Sequence, residues 1–166
     1  MTRLRNAVVL LGLVAALTAA GLTIRAKERT LAEGRTVLLE LAPVDPRSLI
    51  QGDYMALRYA PKVLPATQAD RELPASGVAV LALDASGVAA YRRLDGGEPL
   101  AADEVRLRYR SGGVDGARYG AASFFFEEGT AAAYERARYG VLKVDEAGRS
   151  VLVGLADAEG RPIQQP

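Results

Sequence analysis

The chain has 166 residues, enough for one ordinary domain and a short additional segment, and 49% of them are hydrophobic, enough to form a core. It contains neither cysteine nor histidine, which excludes disulfides, thiol nucleophiles, zinc held by sulfur or imidazole, and any triad built on imidazole. Five basic residues (Arg3, Arg5, Arg25, Lys27, Arg29) flank the N-terminal apolar segment, while beyond Thr30 the 16 Lys and Arg face 19 Asp and Glu; so acidic a remainder excludes nucleic acid as a partner.

Asn6 to Ile24 carries no charge (NAVVLLGLVAALTAAGLTI). As a helix it would span about 28 Å, close to the ~30 Å hydrocarbon thickness of a bilayer. It is apolar all round and bracketed by arginines, which argues against a buried core helix. A cleavable signal peptide is the rival, with Thr18-Ala19-Ala20 as a small-residue cleavage site. Against cleavage, no helix breaker precedes that site, and IRAKERTLAEG reads as continued helix. Basic residues on both sides leave the positive-inside count undecided. The short N-terminal tail and long C-terminal remainder place the N-terminus inside and the domain outside the cytoplasm. Residues 1–34 thus form an anchor helix with its flank, and 35–166 an extracytoplasmic domain.

The helix is expected to end at Gly34, with glycine's access to positive φ supplying the cap. Strand signals follow. Thr36–Ala42 and Gly77–Leu83 are nearly continuous apolar runs, as in strands covered on both faces. Tyr54–Tyr59, Val88–Leu94, Glu104–Arg110, Tyr119–Phe126, Val141–Asp145 and Val151–Ala156 bring the expected strands to about eight. Three connections share one design: Asp84 to Gly87, Asp145 to Gly148 and Asp157 to Gly160. Asp accepts the turn amides and Gly takes the left-handed position, so at least two should close β-hairpins. Ala60–Ser76, with three prolines, reads as a loop, and Thr130–Arg138 as a short helix capped by Thr130. The expected fold is mainly β, an antiparallel β-sandwich or partly open barrel with one short helical insertion, preceded by a transmembrane helix.

The most distinctive segment is PVDPRSLIQGDYMALRY, Pro43 to Tyr59. Gly52-Asp53-Tyr54, Leu57 and Tyr59 carry a five-position signature that resembles the GDYxxLxY family of bacterial membrane-anchored proteins. The similarity extends to the approach PVDPRSLIQ and to Tyr119-Gly120 with SFFFEEG (Ser123 to Gly129), and so covers most of the chain. The resemblance implies a membrane protein of uncharacterised function, often associated with multi-span membrane proteins, and it brings no catalytic residues. Read from the residues alone, Gly52 and Asp53 serve a turn. Met55, Leu57 and Tyr59 then share the core face of a strand, while Tyr54, Ala56 and Arg58 share the other, where Tyr54 and Arg58 could bind.

SLIQGDYMAL is also similar to the substrate-site strand of type I signal peptidases, where a catalytic serine precedes a Gly-Asp pair by eight residues. Here that position is Val44, with Ser48 as a displaced candidate. A serine–lysine pair needs a desolvated amine within reach. Lys27 borders the membrane segment, Lys62 sits in a proline-rich loop, and Lys143 is expected to face water. Glu104–Arg110 alternates, placing Arg106, Arg108 and Arg110 on one face, as a solvated or carboxylate-paired surface or as a basic stripe for an acidic partner or anionic headgroups, which Arg92 and Arg93 could extend. Glu127 and Glu128 point to opposite faces and make a poor acid–base pair. Asp95-Gly96-Gly97 is a turn and no phosphate loop. No catalytic residue, metal or cofactor is expected. The favoured function is a binding or assembly module, held in the bilayer by residues 6–24 and docking on an integral membrane protein. The alternative is a divergent signal-peptidase-like hydrolase using Ser48 or Asp53.

Overall fold

One unbroken helix, α1 (Thr2–Glu33), opens the computed structural model, which describes residues 2–42, 50–51, 54–65, 73–111 and 117–164. From Leu4 to Glu33 it is long and apolar enough to cross a membrane, and its apolar window is wholly unburied by the rest of the chain. The hydroxyls of Thr18 and Thr23 donate to the carbonyls of Val14 and Ala19, each at 2.8 Å. Both hydroxyls are thereby satisfied within the helix.

The helix stops before Gly34, but by a different device from the one expected. Gly34 is not among the glycines of positive φ. Its amide still bonds to the Thr30 carbonyl at 3.0 Å. A Cβ there would collide with that carbonyl oxygen and lie 3.1 Å from the backbone N and O of Val144. Gly34 is small because the chain turns against a strand, and its left-handed freedom goes unused.

Ten strands follow among the described residues: β1 (Arg35–Glu40), β2 (Ile50–Gln51), β3 (Tyr54–Ala56), β4 (Ser76–Leu83), β5 (Ala89–Leu94), β6 (Glu104–Ser111), β7 (Ala117–Tyr119), β8 (Ser123–Phe125), β9 (Tyr139–Val144) and β10 (Ser150–Ala156). They form three antiparallel sheets, ordered β1-β9-β10, β2-β3-β8 and β5-β4-β6-β7. The fold is therefore mainly β and antiparallel, and the sheets do not close into a barrel. All three contribute to one core, with Leu39, Met55, Leu81, Leu107, Tyr119, Leu142 and Leu155 buried together. Val37, Leu38 and Leu39 of β1 are all buried, as are Ala79, Val80 and Leu81 of β4. These two strands are covered on both faces, which is why their sequences read as continuous apolar runs.

Each Asp…Gly connection closes a turn of the same hydrogen-bond pattern. The Asp84 amide bonds to Val88 O, Asp145 to Arg149 O and Asp157 to Arg161 O, each at 3.0 Å. Gly87, Gly148 and Gly160 all have positive φ. The first turn joins β4 to β5 and the second β9 to β10, while the third folds Pro162 back onto Ala156.

Two expected elements are shorter than their sequence patterns. Tyr119–Phe126 divides into β7 and β8 at Gly120 (φ 51°), and the two halves join different sheets. The expected helix Thr130–Arg138 shrinks to one turn, α2 (Ala131–Tyr134). The Thr130 hydroxyl donates to Glu127 O at 2.7 Å and does not cap the helix by accepting an amide. After Tyr134 the chain is drawn away, with Arg138 N bonding to Ala156 O beside β10 at 2.8 Å. The loop expected over Ala60–Ser76 begins with a 3₁₀ turn, Pro61–Val63.

Candidate functional site

Gly52 and Asp53 lie outside the described residues, as do Val44 and Ser48. The rest of the signature has a clear architectural place. Tyr54, Met55 and Ala56 pair with Phe125, Phe124 and Ser123 in the β2-β3-β8 sheet. Leu57 still bonds to Ala122 O at 2.8 Å. The chain then changes sheets. Tyr59 bridges Leu41, Ala42 N bonds to Arg58 O at 2.8 Å, and Ala60 N to Glu40 O at 2.9 Å. The six-residue strand expected over Tyr54–Tyr59 is thus a seam between two sheets.

Its inward side chains hold that seam. Met55, Leu57 and Tyr59 are all buried. The Tyr59 ring meets Tyr119 edge-on at 6.2 Å, and its hydroxyl donates weakly to Ala121 O at 3.4 Å. Burial pushes the Tyr59 phenol up to about 12. Tyr119 is raised further by the same desolvation, reinforced by Tyr91 and Tyr109.

The outward side chains differ. Tyr54 is half-buried and Arg58 exposed. Tyr54 lies against Phe125, ring centroids 5.8 Å apart. Phe125 is 73% exposed, a large aromatic presented to solvent on the strand opposite the signature. The sequence did not single it out. In Ser123-Phe-Phe-Phe126 every aromatic is equivalent until the register with β3 decides which one faces out.

The arginines of β6 divide along the strand. Arg106 donates to Asp95 Oδ2 and to Glu98 O, both at 2.9 Å. That hydrogen bond, with smaller help from the Gly97 amide and neighbouring arginine charge, holds the Asp95 carboxyl below the usual carboxylate range. Arg108 donates to Ala147 O at 3.1 Å. Arg110 instead stands opposite Arg118 of β7. Arg92 and Arg93, on β5, are committed elsewhere: Glu104 is buried and takes Arg92 at 3.3 Å and Arg93 at 3.2 Å. Arg108, Arg110, Arg118 and Arg149 all line one cleft of about 760 Å³. Arg118 and Arg149 escaped the sequence because only the fold brings β7 and the β9–β10 turn beside β6.

Among the described residues no lysine amine hydrogen-bonds a serine hydroxyl. Lys27 reaches the Ser150 carbonyl at 3.5 Å, Lys62 pairs with Glu40, and Lys143 donates to Gly34 O at 3.2 Å. Lys143 is half-buried against the helix terminus, where water exposure was expected. Glu127 and Glu128 are exposed beyond the end of β8. Among the described residues no three acidic side chains converge as a metal site would require.

A family model, that of the GDYXXLXY protein, matches residues 16–155, most of α1 and nearly all of the β domain. No curated protein and no solved structure matches the chain.

Proposed function

As the chain belongs to the GDYXXLXY family, we propose that it is a membrane-tethered binding or assembly module, its β domain outside the cytoplasm and docked on an integral membrane partner. The docking face carries Tyr54, Phe125 and Arg58. The observation behind it is the solvent-facing Phe125 ring lying tilted against Tyr54 on the outer side of the signature seam. Aromatic anchors near an arginine are the residue types that dominate interface energetics. An uncleaved anchor is supported by α1, which runs through Thr18-Ala19-Ala20 without a break.

The experiment is photo-crosslinking in intact membranes from a probe placed at Phe125 in the full-length protein. A membrane-protein adduct that Tyr54→Ala or Arg58→Ala diminishes at least about tenfold is expected, the loss of a hot-spot contact. An adduct untouched by either substitution, or none at all, would overturn the docking face. Crosslinking and fractionation together separate two failures: a shortened soluble product removes the tether, whereas an intact membrane protein without adduct removes only the docking surface.

A further inference from the structure

We infer that the arginine cleft is a binding site for the phosphate of an anionic phospholipid headgroup in the leaflet beneath the domain. This inference rests on the tethered-module reading for the position of the bilayer and is independent of the Tyr54–Phe125 face.

The first ground is charge. Four guanidinium groups, from β6, β7 and the β9–β10 turn, line one cleft, and no carboxylate lines it among the described residues. Asp145 neutralises Arg149 at 2.7 Å. Among the described residues Arg108 is held by a carbonyl and by no carboxylate. Arg110 and Arg118 make no ion pair among the described residues, although they are direct cross-strand partners. Like charges placed opposite each other on a sheet destabilise it. The other β6 arginine, Arg106, shows how the fold treats such a charge when it serves structure alone: a carboxylate lies against it. Among the described residues no carboxylate offsets that repulsion at Arg110 and Arg118, whose exposed side chains meet in one concavity that gathers the field of like charges. A phosphate would relieve it, and the planar guanidinium fork suits phosphate oxygens.

The second ground is position. Ser150 lines the cleft, and its carbonyl receives Lys27 of α1. Arg149 also lines a second hollow of about 360 Å³, whose other walls are α1 residues, among them Leu22, Ala26, Lys27 and Thr30. The cleft therefore adjoins the helix across the end of its uncharged stretch, from Leu22 to Thr30. From Ile24 to Lys27 the rise is about 4.5 Å, within the roughly 5–7 Å headgroup layer of a bilayer leaflet. Lipid phosphates lie at that height, beside the further basic residues Arg25, Lys27 and Arg29.

The test uses the full-length chain in nanodiscs of phosphatidylcholine alone or with phosphatidylglycerol, following thermal unfolding of the β domain by circular dichroism. Phosphatidylglycerol is expected to raise Tm by about 4 °C, as for a ligand near ten times its Kd. The Arg110→Gln/Arg118→Gln variant should lose that rise yet unfold in phosphatidylcholine at or above the wild-type temperature, since a repulsion has been removed. Arg106→Gln should lower Tm in both lipids and keep the rise. Glycerol 3-phosphate added to phosphatidylcholine discs is the free-phosphate arm. If it stabilises the domain while phosphatidylglycerol does not, or if the double variant keeps the phosphatidylglycerol rise, the headgroup site is overturned. A chain that fails to enter phosphatidylcholine discs would strike at the tether instead.

Discussion

Among the single residues, the buried tyrosines give the sharpest expectations. Tyr119 and Tyr134 bury their hydroxyls with no hydrogen-bond partner among the described residues. A buried donor left unpaired costs about 1–3 kcal/mol. Tyr119→Phe should accordingly keep the ring's packing and raise stability by about 1 kcal/mol in urea unfolding of the detergent-solubilised chain. A loss of stability would mean that the hydroxyl has a partner. Tyr59 has a folded pKa raised to about 12, so it favours the folded state below its unfolded value near 10, and that contribution is lost as pH rises through 12. Absorbance titration at alkaline pH should show a late ionisation from the Tyr59 and Tyr119 phenols, with Tyr59→Phe removing one late step. That Met55, Leu57 and Tyr59 point inward was legible from alternation alone. That Phe125 points outward was not, because three equal aromatics in a row carry no phase.

Whole elements were legible where a local pattern set them. The three Asp…Gly turns read correctly because Asp side chains and glycine φ act within five residues. The same turns make the domain acid-sensitive. In Asp84 the Ser86 hydroxyl bond comes first in depressing the pKa. In Asp145 burial pushes the other way, but the Arg149 amide and guanidinium and the Thr30 hydroxyl outweigh it. Depressed carboxylates contribute stability above their unfolded pKa near 3.9, and it is lost as pH falls through the lower folded values. Thermal unfolding should thus be flat near neutrality and fall below about pH 4; Asp145→Asn should lower Tm at pH 7 and shallow the acid limb. Illegible elements were those decided by distant partners: Tyr119–Phe126 splits because its halves join separate sheets, and the Thr130 helix stops after one turn because β10 captures Arg138. Gly34 belongs here too. Its position at a helix end was readable, and half its reason is local, the Thr30 carbonyl; the other half, the backbone of Val144, comes from 110 residues away. Gly34→Ala should destabilise by about 1–3 kcal/mol, as overpacking does, and expose the α1–β1 junction to limited proteolysis.

At the scale of the molecule, the helix and the domain are joined by contact as well as by chain. Thr30 is 3% exposed and donates to Asp145 Oδ2 at 3.2 Å. Lys27 reaches β10, and Lys143 reaches the helix terminus. A reporter fused to the C-terminus should score as extracytoplasmic, and cysteines introduced on either side of Ile24 should label differently with a membrane-impermeant reagent. A domain slung on a slack tether would sweep a hemisphere above the bilayer. This one is mounted on its helix like a signpost on its post, with those contacts setting its tilt to the helix axis when the chain folds. Under the proposed docking, part of the orientational entropy would be surrendered before a partner arrives. A partner in the same bilayer would then have only lateral drift and spin about the membrane normal left to search, and turning the helix would swing every face of the domain with it.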